Sequence, residues 1–267
     1  MRDPATFEDV HYEVSDRIAT ITIDRQERLN ALRGQTVDEL IWAFRLAWGD
    51  RDVRVVILTG AGERAFSSGG DTKQRAETGD YGPTEDGWMD MAGLQRVIRD
   101  IPKPVIAAVN GVAVGAGHVL HVICDITIAA EHARFGQAGP RVGSFDAGYG
   151  AAFLARVVGE KRAREIWYLC RQYDAATAER WGLANMVVPG ERLMEEARSW
   201  AADIASKSPT AIMVLKHAFN TDTEHQGGVF KMSEAALHMF TATEEGREGA
   251  AAFAEKRAPD YSAYNVV

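Results

Sequence analysis

Apolar and polar residues alternate from Val10 to Ile23, VHYEVSDRIATITI, with a break at Ser15-Asp16-Arg17. A period of two on both sides of a polar tripeptide predicts a β-hairpin. The period then lengthens. Val37, Leu40, Ile41 and Phe44 recur at helical spacing, so a helix is expected from Gln35 to Trp48. Val53 to Leu58, VRVVIL, predicts a short buried strand closed by Thr59-Gly60. Val105 to Val109 predicts a second, after the Pro102-Lys103-Pro104 breaker, and Ile123 to Ala129 a third. Strands alternating with helices through the first two-thirds of the chain predict an α/β fold.

From Glu160 the strand signal fades, and helical runs are expected at 160–170, 175–181, 191–206, 210–219 and 229–257. Residues 207–267 read as a helical appendage on a core of residues 1–206. The segment 76–90, AETGDYGPTEDGWMD, is polar and rich in Gly and acid, which predicts a mobile loop or lid.

Composition narrows the function. The 267 residues are 46% hydrophobic and 25% charged, enough for one sizeable core. A net charge of -8 argues against nucleic-acid or anionic-membrane binding, while local cations can still hold an anionic small molecule. Cys124 and Cys170 lie in apolar runs without metal-type spacing and read as buried thiols. The first residues, MRDPATFEDV, lack a signal-peptide apolar region, and no window reaches membrane-spanning length. A cytoplasmic location is expected.

Two glycine-rich turns carry candidate chemistry: Ser67-Ser68-Gly69-Gly70-Asp71 and Val114-Gly115-Ala116-Gly117-His118. Small residues between a strand and a helix let backbone N–H groups point at a ligand, and two such turns can form a two-donor oxyanion hole. Taken singly, each turn more often just solves a tight bend. Asp71 alone reads as a helix N-cap, and Asp146 in VGSFDAGYG alone reads as a loop cap. His118 and His121 have the spacing of a metal pair but no third ligand, which points to packing. Lys256 and Arg257 in EKRAP read as solvated charges.

The motifs taken together are more specific. Asn30-Ala31-Leu32, SSGGD at 67–71, PKPVIAAVNGVAVGAGHVL at 102–120 and CDITIAAEHARFGQ at 124–137 resemble the crotonase (enoyl-CoA hydratase/isomerase) superfamily, in order and along almost the whole chain. The resemblance implies a spiral of ββα units, a C-terminal helical region that builds a homotrimer or homohexamer, and an acyl-CoA thioester substrate. It implies that the N–H groups of Gly70 and Ala116 hold the thioester oxygen, with Ala116 in place of a usual Gly. It also implies substrate or coenzyme A contacts from Arg28, Asn30, Ala31, Ser68, Gly69, Asp71, Thr72, Tyr81, Gly115, Gln137, Gly139, Trp167, Thr241 and Lys256. Arg33, beside Asn30-Ala31-Leu32, can likewise meet phosphate or adenine.

Hydratases of the superfamily add water with two glutamates. The matching positions here are Val119 and Gly139, neither of which transfers a proton, so hydration is disfavoured. GQAGPRVGSFDAGYG at 136–150 and KRAREIWYLCRQYDA at 161–175 resemble two other subgroups. One is 2-ketocyclohexanecarboxyl-CoA hydrolase, which opens a ring, and the other is 1,4-dihydroxy-2-naphthoyl-CoA synthase, which closes one. Asp146, oriented by Ser144, becomes the candidate base. His225-Gln226 is more like the hydrolase, and the run from His118 to His121 echoes the synthase. Tyrosines that these subgroups carry fall here at Thr84 and Thr241. No cofactor is expected beyond a bicarbonate or water beside Gly139, where Gln137 and Trp167 match the anion site of some synthases. The reading from another class, a non-catalytic relative that binds acyl-CoA or RNA, is opposed by the acidic charge and by the retained Gly70, Ala116 and Asp146.

Overall fold

The computed structural model describes residues 2–145 and 148–264, so the candidate base Asp146 lies outside the described residues. The hairpin forms as β1 (Val10–Ser15) and β2 (Ile18–Ile23), antiparallel, with Asp16 and Arg17 both at positive φ in the tight turn between them. Helix α1 (Gly34–Gly49) buries Val37, Leu40, Ile41 and Phe44, the stripe read from the sequence. Strand β3 (Val55–Gly60) runs through Thr59-Gly60 instead of stopping there, because all six of its residues are in register with β2, from Val55 opposite Ile18 to Gly60 opposite Ile23.

A repeating unit follows. β3 leads to β4 (Ala65–Ser67) and then to α2 (Thr72–Thr78) and α3 (Met91–Asp100). β5 (Val105–Val109) leads to β6 (Val112–Val114) and α4 (Ala116–Ile123). β7 (Ile126–Ala130) leads to β8 (Arg134–Gly136) and α5 (Gly150–Val158). The first strand of each unit joins the large sheet and the second joins a small one. The large sheet has the order β1-β2-β3-β5-β7-β10, and the small sheet β4-β6-β8-β9. The third expected strand begins at Ile126 because Ile123 still belongs to α4.

The remaining elements are α6 (Glu160–Leu169), β9 (Gln172–Asp174), α7 (Ala175–Arg180), β10 (Met186–Val188), α8 (Leu193–Ala205), α9 (Pro209–Thr221), α10 (Gly227–Thr241) and α11 (Glu244–Ala254). The helical reading after Glu160 therefore missed two strands, and the run 229–257 is two helices. Strands of three residues are too short to display a period.

β3 and β5 are buried over their whole length, as parallel strands covered on both faces must be. One face packs on α1 and α3. On the other, Leu193, Ala197 and Ala201 of α8 meet Val55, Ile57, Ile106 and Ile128. The C-terminal helices return to the core. Buried Lys216 on α9 donates to the carbonyls of Ile98 and Lys103, both at 3.0 Å, and to Asp125 Oδ2 at 2.8 Å. Further on, α11 packs against α2, and Gly246 and Gly249 abut the backbone of Gly143. Among the described residues no helix is long and apolar enough to cross a membrane.

Removing Lys216 takes a donor from the Ile98 and Lys103 carbonyls and leaves the Asp125 carboxylate without its cation, with the Val105 N–H still on Oδ2. Lys216→Ala is expected to lower the unfolding free energy by about 3 kcal/mol in urea titrations, whereas a loss below about 0.5 kcal/mol would mean α9 is held by apolar contact alone.

Candidate functional site

β4 and β6 are parallel neighbours in the small sheet, so the two glycine-rich turns leave the same edge side by side. They touch. Gly69 has φ +92°, and a Cβ there would stand 2.9 Å from Val114 O and 3.1 Å from Ala116 N. A Cβ on Gly117 would run into the Ser67 carbonyl. Close backbone approach makes both positions glycine, and at Gly69 the positive φ does so as well. Ala116 avoids the restriction because the positive φ, 59°, falls on Gly115, and Ala116 opens α4.

The direction of the two N–H groups follows from their neighbours. Leu32 N–H donates to Gly69 O at 2.7 Å, and Asp71 N–H donates to Leu32 O at 2.8 Å. In a trans peptide the C=O and N–H point opposite ways, so holding Gly69 O toward Leu32 aims the Gly70 N–H away from it. On the second turn, Gly115 O accepts from Val119 N–H at 3.1 Å, which aims the Ala116 N–H out of the helix end. Neither N–H has a backbone acceptor among the described residues. Two free donors on touching turns can hold one oxygen that gains negative charge.

Other expected residues surround the first turn. Tyr81 lays its ring on Gly70, with its hydroxyl 3.2 Å from where a Cβ would be, and its carbonyl accepts from Gly34 N–H at 2.7 Å. The 79–90 segment is anchored to α1 as well as at Tyr81, since Glu85 N–H donates to Asp38 Oδ2 at 2.7 Å. Thr72 opens α2, and Asp71 caps it by accepting from Gln74 N–H at 3.0 Å, as the N-cap reading required. Burial pushes the Asp71 carboxyl up, but the Gln74 N–H and the Arg25 guanidinium outweigh it and hold it below the usual carboxylate range. Ser68 is half-buried, its hydroxyl 3.4 Å from Arg28 O, and the Arg28 side chain is half-exposed beside the turn.

Three expectations change. Asn30 is buried and its side chain points inward, donating to Ala61 O and Ala65 O and accepting from Arg25 N–H. Ala31 is buried as well, and its carbonyl accepts from Arg25 Nη1 at 2.5 Å. Arg33 is not free for phosphate: it makes a two-pronged contact with Asp9, both bonds at 2.8 Å. Arg25 itself drew no notice in the sequence, where it is one polar residue after a strand.

A second wall lies around Gly139. Ser144 N–H donates to Gly139 O at 2.9 Å, and a Cβ on Gly139 would stand 3.0 Å from Ser144 O and 3.3 Å from Phe145 Cα. A side chain there would press on this backbone, which would have to give by a few tenths of an ångström. Helix α6 packs on the 3-10 turn Gly139–Arg141, and Trp167 of that helix has a buried Nε1–H with no partner among the described residues. Gln137 is buried, its amide 3.2 Å from His118 Nδ1. Val119, at the other hydratase position, is buried in α4. Phe145 meets Phe240 of α10 at 5.6 Å between ring centres, and Thr241 follows it, so this chain's own C-terminal segment borders the loop that leads to Asp146. Lys256, just beyond α11, is exposed and its side chain has no partner among the described residues, while Arg257 pairs with Glu248 and Glu255.

His118 and His121 are fully enclosed, their rings edge-on at 4.8 Å, as the packing reading held. Burial pushes His118 down to about 3, and burial together with His118 drives His121 well below its ordinary value. Both are neutral near neutral pH.

Comparison with known proteins identifies the family. The model of the enoyl-CoA hydratase/isomerase family matches residues 13–264. The chain is 30% identical to carnitinyl-CoA hydratase from Mycobacterium avium, over 97% of this chain and 100% of that one, with a TM-score of 0.86. It is 29% identical to an enoyl-CoA hydratase from Mycobacterium avium subsp. paratuberculosis K-10, over 95% and 98%, with a TM-score of 0.83. An enoyl-CoA hydratase from Bacillus anthracis is 31% identical over 96% and 100%, with a TM-score of 0.73.

The buried histidines set an acid limit on stability. Their folded pKa values lie below the unfolded value near 6.5, so the unfolded chain takes up protons first as pH falls. Stability is full above that value and declines from about pH 6.5 toward pH 3, by up to about 1.4 kcal/mol per pH unit for each histidine. Urea unfolding at pH 7, 6 and 5 measures the slope. It should flatten in the double variant His118→Gln, His121→Gln, and an unchanged slope there would remove the histidines as its cause.

Proposed function

This chain belongs to the enoyl-CoA hydratase/isomerase (crotonase) family, whose enzymes process acyl-CoA thioesters, and on that premise we propose that it hydrolyses a cyclic β-ketoacyl-CoA by C–C cleavage. The observation that carries the reading is the tight turn at Gly139, with no acid there or at Val119. With the 144–145 backbone 3.0–3.3 Å from any Cβ there, and Val119 in α4, the two positions that bear glutamates in hydratases hold no carboxylate. Several similar solved structures are named as hydratases, yet the proton-transfer pair of a hydratase is missing here.

The chemistry runs from the thioester outward. Asp146, assigned from sequence and oriented by Ser144, takes a proton from water, and the oxygen attacks the ring ketone. The bond from the ketone carbon to the thioester α-carbon breaks, and its electron pair moves into the thioester as an enolate. Gly70 and Ala116 N–H groups hold the enolate oxygen, an interaction worth about 2.7–4 kcal/mol per donor by analogy with acyl-transfer holes. Protonation of the α-carbon gives an open-chain dicarboxylic mono-CoA thioester. Half-exposed Arg28 and exposed Lys256 are the cations assigned to the coenzyme A phosphates.

One observation favours the ring-closing synthase as a second reading. The buried Trp167 Nε1–H, without a partner among the described residues and carried by the helix that packs on the Gly139–Arg141 turn, suits a bicarbonate or a water. Self-association belongs to both readings. It is supported by the exposed apolar residues Val214, Leu215 and Phe219 on α9 and Met232 and Met239 on α10. Families of this kind typically form oligomers, and a trimer or hexamer is the assembly proposed.

Incubation with 2-ketocyclohexanecarboxyl-CoA should give a thioester heavier by one water, read by mass spectrometry. Loss of one water from o-succinylbenzoyl-CoA instead would select the synthase. No conversion of any cyclic β-ketoacyl-CoA would remove the proposal. Asp146→Asn should lower kcat by at least about 100-fold with the circular dichroism spectrum unchanged.

A further inference from the structure

We propose that Arg25 is a positioning residue for the oxyanion hole, holding the Leu29–Leu32 segment against the Gly69-Gly70 turn so that the Gly70 N–H faces the substrate. The proposal rests on the oxyanion reading of Gly70 and Ala116.

The direction of the Gly70 N–H depends on Leu32 keeping hold of Gly69 O. That grip belongs to a short ladder of three bonds: Ser68 N–H to Leu29 O at 3.0 Å, Leu32 N–H to Gly69 O at 2.7 Å, and Asp71 N–H to Leu32 O at 2.8 Å. The segment opposite the turn is not a regular strand. Leu29 and Asn30 both have φ +54°, a left-handed conformation that disfavours side-chain-bearing residues, so the segment does not hold its own shape.

Arg25 ties both sides of the ladder. Its side chain is 8% exposed. Nη1 donates to Ala31 O at 2.5 Å on one side, and Nη2 donates to Asp71 Oδ2 at 2.9 Å on the other. Nε lies 3.5 Å from Asp9 Oδ2, and Asp9 is fixed in turn by Arg33 and Thr36. The Arg25 backbone also serves the segment, since N–H donates to Asn30 Oδ1 and the carbonyl accepts from Asn30 N–H, both at 2.9 Å. A planar fork that reaches a carbonyl and two carboxylates at once is a property of arginine. Lysine carries the same charge at a single point and cannot span them.

The test separates polarisation of the thioester from folding. The probe is cyclohexanecarbonyl-CoA labelled with 13C at the thioester carbonyl, an analogue that lacks the cleavable ketone, read by isotope-edited infrared difference spectroscopy. The wild-type protein should lower the carbonyl stretching frequency of the bound probe. Arg25→Lys, Arg25→Gln and Asp71→Asn should each lose at least half of that shift and bind the probe within about threefold of wild type. With a turned-over substrate, kcat should fall about 10- to 100-fold, below the cost of losing a whole donor, and KM should change little. Should Arg25→Gln fail to fold, Arg25→Lys and Asp71→Asn, which keep the charge and the helix cap respectively, decide the matter. A full wild-type shift in those two variants overturns the role of Arg25. A wild-type protein that leaves the carbonyl frequency unmoved overturns the oxyanion reading itself.

Discussion

A peptide bond cannot point its carbonyl and its N–H the same way, and this site is built on that restriction. Gly69 O is held by Leu32, Gly115 O by Val119, and in each case the next residue's N–H is turned outward by default. The two turns differ in sequence and in what holds them, one a fragment of ladder and the other the first bond of a helix. Much of the surrounding fold serves to keep them adjacent. The parallel pairing of β4 with β6 brings the turns together, and the two-sheet arrangement places them on the small sheet, apart from the fully buried strands. Glycine at 69 and 117 then lets the backbones meet.

Much of this was legible in the sequence. The hairpin, α1, β5 and the long C-terminal helices follow from periods of two and 3.6 that persist over enough residues to register. The small sheet did not register, because β4, β6, β8 and β9 have three residues each and rely on neighbours far along the chain. The glycine-rich turns could be found as candidates, but the aim of their N–H groups is set by Leu32 and Val119, both apolar residues in the sequence. Arg25 was invisible for a related reason. A single arginine after a strand resembles surface charge until the fold encloses it between Asp9 and Asp71. Asn30 shows the opposite error: a residue in a motif that resembles a binding loop has its side chain wholly occupied in holding that loop.

The family shares a way of stabilising a thioester enolate and differs in what makes or consumes it. In this chain the difference is physical as well as chemical. Gly139 bears no acid, and the backbone of Ser144 and Phe145 closes over the position where one would stand. Restoring a hydratase carboxylate would require that backbone to give by a few tenths of an ångström as well. Behind this wall, polar groups are kept neutral: His118 and His121 sit uncharged in the core and Gln137 leans on His118. The one carboxylate beside the first turn, Asp71, stays ionised through its cap and its arginine.

Gly143, in the loop that precedes Asp146, meets Gly246 and Gly249 of α11 backbone to backbone. A contact of that kind has no slack for independent drift. A mutation that adds even a methyl group on one side must be answered on the other, so the loop and the C-terminal helices are expected to diverge in concert. For recombination among relatives, this predicts that a chimaera joined between the two segments inherits a mismatched seam, and that one exchanging both keeps its parent's fit.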